Sequence, residues 1–568
     1  MANIDLKARP FYLSDEDIKW VEDTKNNMTQ EEKIGQLFFP LGVTTDEGYL
    51  RHVILNNHVG GLMFRTGKAK ELVDTYKYLQ NNTKIPMLTA ANLEAGGDGI
   101  IEEGTAFGKQ MQIAATKDPK QAYRLGKISC SEAQAVGSNY AFAPVVDIDL
   151  NYHNPITNVR TYGSDPEMVK QCGLEYMKAA KECGSIVSIK HFPGDGVDEV
   201  DQHILISVNS MSCDDWDRTY GDIYKTLIDH DAPTVMVGHI ALPSYQHKLN
   251  PNHPKKLVPA TQSKELLQGL LREKLGFNGM IITDASPMVG FLAAMDRREA
   301  VPYCIEAGCD MLLFNKDLDE DIMYMTEGLK SGILSEERLD EAVTRILATK
   351  AMMGLHKKQA EGTLAPNDDG LSKLDRDLFK EWAKDCADKA VTLVKDTQNL
   401  LPLNSKKHRR VLYELMGGFK SDARVEAKFV SEMEKLGFEM IPYEKEVYDW
   451  SKPVHFETVE EFRSKYDLVL YIGNIENASN QTTARLNWHT EFGAGNNIPW
   501  FVEVVPTLFI SLANPYHLLD VPMIKTYINC YSNHDVMIET VIDKIMGKSE
   551  FKGKSPIDPF CGKDYLSY

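Results

Sequence analysis

From residue 36 onward, short runs of apolar residues alternate with amphipathic stretches of helical period. The apolar runs are "QLFFPLG" (36–42), "VGGLMF" (59–64), "PMLTAAN" (86–92), "YAFAPVVDI" (140–148), "SIVSIKHF" (185–192), "TVMVGHI" (234–240), "GMIITDA" (279–285) and "DMLLFN" (310–315). Between them, 68–80, 166–182 and 263–275 carry apolar positions three and four residues apart. Near-continuous apolar strands separated by helices predict a parallel sheet buried on both faces. Eight such units count out a (β/α)8 barrel, although an open doubly wound sheet has the same local pattern. Polar residues at the C-terminal ends of the strands favour the barrel: Asn92 and Glu94, Asp147 and Asp149, Lys190 and His191, His239, and Asp284. Only a closed barrel gathers all these ends around one pocket.

After residue 350 the pattern changes. The stretch 356–375 is polar with Gly, Pro and Asn, and a helix is predicted over 376–394. Further strands are expected at 410–417, 467–475 and 506–515. The expected organisation is a catalytic α/β barrel over 1–355, a linker over 356–380 and a C-terminal αβα sandwich over 381–568.

Composition narrows the function. The 568 residues are 43% hydrophobic and 26% charged, an ordinary globular balance, with a formal net charge of −19 and no basic block. Nucleic acid is a poor partner for such a surface, because its binding rests on clustered Lys and Arg. Nine scattered cysteines without a CxxC pair read as reduced thiols, which places the chain in the cytoplasm. The first twenty residues hold no apolar leader core, and no run approaches 18 uncharged apolar residues, so no membrane association is expected.

Four features carry chemistry. Asp284 abruptly ends an apolar strand, which suits a nucleophile and equally suits a helix N-cap. Asp201-x-His203 has the spacing for a carboxylate that sets the tautomer and basicity of an imidazole, although an isolated pair of this kind is more often solvated loop. Lys190-His191 follows five apolar residues and could grip hydroxyls, and Arg160 lies in the loop after the fourth strand. No G-x-S-x-G elbow at a strand, Walker loop or HExxH is present. A carboxylate nucleophile with a separate proton donor fits glycosyl transfer through a covalent intermediate. Other chemistries remain open on these residues: a metal-dependent hydrolase using His191, His203, His239 and Asp284, a Schiff-base aldolase using Lys190, or a sugar-binding protein.

The stretches "TQEEKIGQLF", "NPITNVRTYGSDP", "KHFPGDG…DQH", "IITDA" and "AVTLVKDTQNLLPL" resemble glycoside hydrolase family 3, in its β-N-acetylglucosaminidase-like branch, over nearly the whole chain. The resemblance implies a barrel plus sandwich, retention of β-configuration, Asp284 as nucleophile and His203 with Asp201 as acid/base. It implies sugar binding by Arg160, Lys190 and His191, with Asn92, Glu94 and His239 as further candidates. No metal or organic cofactor is implied; the substrate is a small β-linked saccharide or glycoside, and a homodimer is compatible. The sequence departs from the family at "NLEAGG", where Asn92 stands in place of an aspartate. An amide donates as well as accepts, which bears on the choice between GlcNAc and glucose. The branch includes phosphorylases, so inorganic phosphate is an alternative to water as acceptor.

Overall fold

The computed structural model describes residues 4–568 apart from 375, 445–450, 454–456 and 489–496. Eight parallel strands form the N-terminal part: β1 (Phe38–Phe39 continuing as Leu41–Gly42), β2 (Gly61–Phe64), β3 (Leu88–Ala91), β4 (Tyr140–Ala141), β5 (Ile186–Phe192), β6 (Thr234–Val237), β7 (Met280–Thr283) and β8 (Leu312–Leu313). They pair in sequence order from β1 to β7. The ring closes where Phe38 pairs with Leu312 and Ile282 bridges Met311. The expected barrel is therefore present. Every residue of β2, β3, β5, β6 and β7 is buried, as strands covered on both faces must be.

Most strands are shorter than their apolar runs, and proline interrupts two of them. Pro40 has no N–H, so β1 is split there: the first half pairs with β8 and the second with β2. Pro144 likewise ends the β4 ladder after Ala141, and pairing resumes only as a bridge between Val145 and Lys190. The covering helices follow the predicted stretches closely. The helix Pro166–Glu182 starts at Asp165, whose carboxylate accepts the Glu167 N–H, with proline in the first turn. It packs on Lys120–Ala135 at Gly126, where a Cβ would stand 3.0 Å from Ala179 Cβ.

The polar stretch after 355 is more ordered than a linker. It holds a helix over Leu355–Ala360 and a short turn of helix over Asp368–Lys373, with Leu364, Leu371 and Leu374 packed on the barrel core. The next helix runs over Asp377–Ala390 and stops short of residue 394, because Thr392–Asp396 leaves it as strand β9. Thr392 and Val394 are β-branched and suit an extended edge. This helix joins the two units: Phe379, Ala383 and Cys386 belong to the barrel core, Ala387 to that of the second unit.

Among the described residues, the second unit is a six-stranded sheet, β9-β14-β13-β12-β10-β11. Its members are β10 (Arg410–Met416), β11 (Glu439–Pro442), β12 (Leu468–Gly473), β13 (Thr507–Ser511) and β14 (Thr526–Asn529). Only β9 runs antiparallel to its neighbour. Separate apolar clusters cover its two faces, giving the αβα sandwich. Tyr516 donates to Asp149 across the interface at 2.6 Å, and Ser532 donates to Gln112 at 2.5 Å. All nine cysteines are unpaired. Among the described residues, no helix is long and apolar enough to cross a membrane.

Candidate active site

A cavity of about 970 Å³ opens at the C-terminal end of the barrel strands. Asn92, Arg160, Lys190, His191, His203 and Asp284 all line it, so six residues from strands or loops 3, 4, 5 and 7 meet in one place. The lining also includes apolar Val43, Tyr49, Met288 and Val289 and charged Arg65, Lys316 and Asp317.

The polar end is organised by a carboxylate behind the wall. Glu94 takes Arg160 in a two-pronged pair, Nε to Oε2 and Nη2 to Oε1 at 2.9 Å each. Lys190 Nζ lies 2.7 Å from the same carboxylate and 3.5 Å from Asn92 Oδ1. Burial alone would raise the Glu94 carboxyl, but Arg160 and Lys190 together hold it well below the usual range. Glu94 is thus a buttress that aims two cations and is not among the residues lining the cavity.

Lys190 and His191 both reach the cavity, although consecutive strand residues ordinarily face opposite sides. The ladder between β5 and β6 shifts register between Ile189 and Phe192, which frees both side chains to point inward. His191 is fixed by Asp147, whose Oδ2 is 2.6 Å from Nδ1 and whose Oδ1 accepts the His191 N–H at 3.1 Å. The other ring nitrogen, Nε2, lies 3.9 Å from Asp284 Oδ2.

Asp284 follows β7 directly. Its N–H bonds Val237 O at 2.7 Å and its Oδ1 accepts the Ala285 N–H at 2.7 Å, so the carboxylate is held at the strand end. Burial pushes this carboxyl up, and the neighbouring His191, His239 and His203, with the Ala285 N–H, more than reverse that, leaving it below its ordinary value. An ionised, partly exposed carboxylate is what a nucleophile requires.

His203 Nδ1 lies 2.7 Å from Asp201 Oδ1, and the same oxygen accepts the His203 N–H at 2.9 Å. Asp201 is fully buried while His203 borders the cavity, so the acid stands behind the imidazole and Nε2 is the nitrogen left for chemistry. The backbone here is tied to the segment after Asp284: Val289 N–H donates to His203 O at 3.2 Å and Gly290 N–H to Gln202 O at 3.1 Å.

His239, a candidate for the sugar, does not line the cavity. It is fully buried, with Nδ1 3.1 Å from Thr261 Oγ1 and Nε2 3.0 Å from Ala285 O. Both ring nitrogens are thereby used, and burial lowers its pKa to about 4. It supports the Asp284–Ala285 turn. The sequence places Asp147 at a strand end but gives it no role; its role is to hold His191. Ser479 and Asn480, from the loop after β12, line the same cavity and carry no local signal. Among the described residues, no three His, Cys, Asp or Glu side chains are grouped to hold a metal ion.

Residues 29–349 match the glycosyl hydrolase family 3 N-terminal domain. A β-N-acetylglucosaminidase/β-glucosidase from Cellulomonas fimi is 43% identical over 567 residues, covering 99% of each chain. The solved structure of β-glucoside phosphorylase BglX, known also bound to 2FGlc, superposes with a TM-score of 0.92 at 41% identity, covering 99% of each chain. A family 3 β-N-acetylglucosaminidase from Paenibacillus sp. shares the fold, with a TM-score of 0.75 at 22% identity over 94% of this chain and 99% of that one. The eightfold barrel, the residues at its rim and these matches over nearly the full length agree, and the chain belongs to glycoside hydrolase family 3.

Proposed function

We propose that the enzyme cleaves β-linked glucosides or N-acetylglucosaminides with retention of configuration. In the first step Asp284 attacks the anomeric carbon while His203 Nε2–H protonates the departing oxygen, giving a glycosyl ester and the free aglycone. In the second step the now neutral Nε2 takes a proton from water as the oxygen attacks the same carbon, and Asp284 leaves as a carboxylate. Asp201 holds the imidazole in the tautomer and orientation both steps need. Arg160, Lys190, His191 and Asn92 supply donors to the sugar hydroxyls. The observation that carries this reading is that an ionised Asp284 and an Asp201-held His203 border one cavity.

Phosphate as the acceptor is a second reading, favoured by the similarity to the phosphorylase BglX over 99% of both chains. A neutral imidazole does not repel a phosphate dianion as a carboxylate base would. One experiment covers both: turnover of aryl β-glucoside and aryl β-GlcNAc, each with and without phosphate, with products identified. Free sugar at a phosphate-independent rate supports hydrolysis; phosphate acceleration with accumulation of β-configured sugar 1-phosphate supports phosphorolysis. No turnover of either glycoside under either condition contradicts the proposal.

A further inference from the structure

The acid/base pair is completed from outside the barrel. Asp201 is fully buried, and its Oδ1 is occupied by the two His203 groups. Its Oδ2 accepts the backbone N–H of Asn480 at 2.8 Å, from a loop 279 residues further along the chain. That loop is seated on the barrel a second time, where Asn477 Nδ2 donates to Pro155 O at 2.9 Å. Asn480 sits in the left-handed region with φ of 65°, a conformation asparagine tolerates better than most residues, and this turns its N–H toward the carboxylate. A buried carboxylate with one oxygen unpaired would be free to rotate, which would loosen its hold on the imidazole.

We propose that the Asn480 amide is a positioning group for the acid/base, so that the sandwich domain sets the proton-transfer competence of His203. This rests on the assignment of His203 given above. The domain contact then acts on one part of the reaction only. The side chains assigned above to sugar binding and attack all come from the barrel, whereas protonation of the leaving group also depends on the interdomain hydrogen bond.

The test is the leaving-group dependence of full-length variants, measured on a dinitrophenyl β-glycoside, which needs little protonation, and on an alkyl β-glycoside, which needs it fully. Asn480→Pro removes the donor and should lower kcat/KM for the alkyl glycoside by about 10-fold or more, within the range general acid catalysis contributes. The first step on the dinitrophenyl glycoside should change little. Asn480→Gly keeps the N–H and suits positive φ, and should keep the wild-type ratio of alkyl to dinitrophenyl kcat/KM, whatever loss of its cavity-lining side chain does to both substrates alike. Asn477→Ala should give a weaker defect of the same selectivity. Equal loss on both substrates, or none, in Asn480→Pro overturns the proposal; if that variant does not fold, the same outcomes in Asn477→Ala do so. His203→Ala run alongside separates the two assignments. If it discriminates between the substrates and the loop variants do not, the positioning role alone falls. If it also loses both equally, the acid/base role of His203 falls with it.

Discussion

Two clusters of buried charge lie at opposite ends of the same barrel. At the lower end, Asp310 pairs with Arg272 at 2.9 Å and Arg338 at 2.6 Å, with Arg345 at 3.6 Å, and also accepts the Ile281 N–H. At the upper end, Glu94 pairs with Arg160 and Lys190. Both are a carboxylate beneath several cations, yet their electrostatics differ. Burial and the crowding of three arginines around one aspartate pull Arg272 down to about 9. Arg160 is shifted up, because the charges of Glu94, Asp147 and Asp284 outweigh its burial. The lower cluster is sealed, with every charged member almost fully buried, whereas the upper one presents Arg160 and Lys190 to a cavity. Buried charge alone does not mark function. Access to a cavity and an excess of the opposite charge do.

The sharpest way to break this comparison is to remove one acid at each end. Asp284→Ala should lower turnover by about 10⁴-fold or more, as loss of a nucleophile does, with the melting temperature nearly unchanged. Asp310→Asn should do the reverse: leaving buried arginines uncompensated costs about 3–5 kcal/mol, while kcat per folded molecule stays at the wild-type value. Steady-state kinetics with thermal denaturation on both variants reads this directly. An Asp310→Asn enzyme that is stable but inactive would break the distinction.

A smaller effect is expected at Glu94. Glu94→Gln keeps the shape but weakens the hold on Arg160 and Lys190, and hydrogen bonds to charged groups contribute about 1.5–3 kcal/mol. The expected loss in kcat/KM is roughly tenfold or more, on activated and unactivated glycosides alike, since sugar positioning serves both. A loss confined to poor leaving groups would assign Glu94 to proton transfer instead.

The smallest effect concerns pH. His239 is buried neutral, its pKa lowered from the ordinary 6.5 to about 4. Between these values the unfolded chain binds more protons than the folded one, so this contribution is intact above about pH 6.5 and is lost as the pH falls toward and through 4. The local slope is at most about 1.4 kcal/mol per pH unit. Denaturation between pH 7 and 4 should show His239→Gln with a shallower decline than the wild type. Parallel curves would mean that His239 is not held neutral.

Much of this architecture was legible because parallel barrel strands are apolar on both faces, so each appears as an unbroken run that a polar residue ends abruptly. Asp284, Lys190, His191 and Asn92 stood out for that reason. His239 stood out too and misled, since a polar residue at a strand end can also serve the turn beside it, here through Thr261 and Ala285. In the sandwich, β11 escaped notice because it is a four-residue edge strand with exposed ends. β14 is a four-residue run with too few positions to show a pattern. Asn480 could not be read locally at all. Its contribution is a backbone N–H, which every residue but proline carries, and its partner lies 279 residues away.

The central claim is that Asp284 is the group that bonds to the sugar. A 2-fluoro glycosyl fluoride or dinitrophenyl glycoside slows breakdown of the ester, and peptide mapping of the inactivated enzyme by mass spectrometry locates the label. One sugar per chain on Asp284, with the label discharged by water or phosphate as activity returns, is the predicted result. A label on Glu94, Asp201 or any other carboxylate would contradict it.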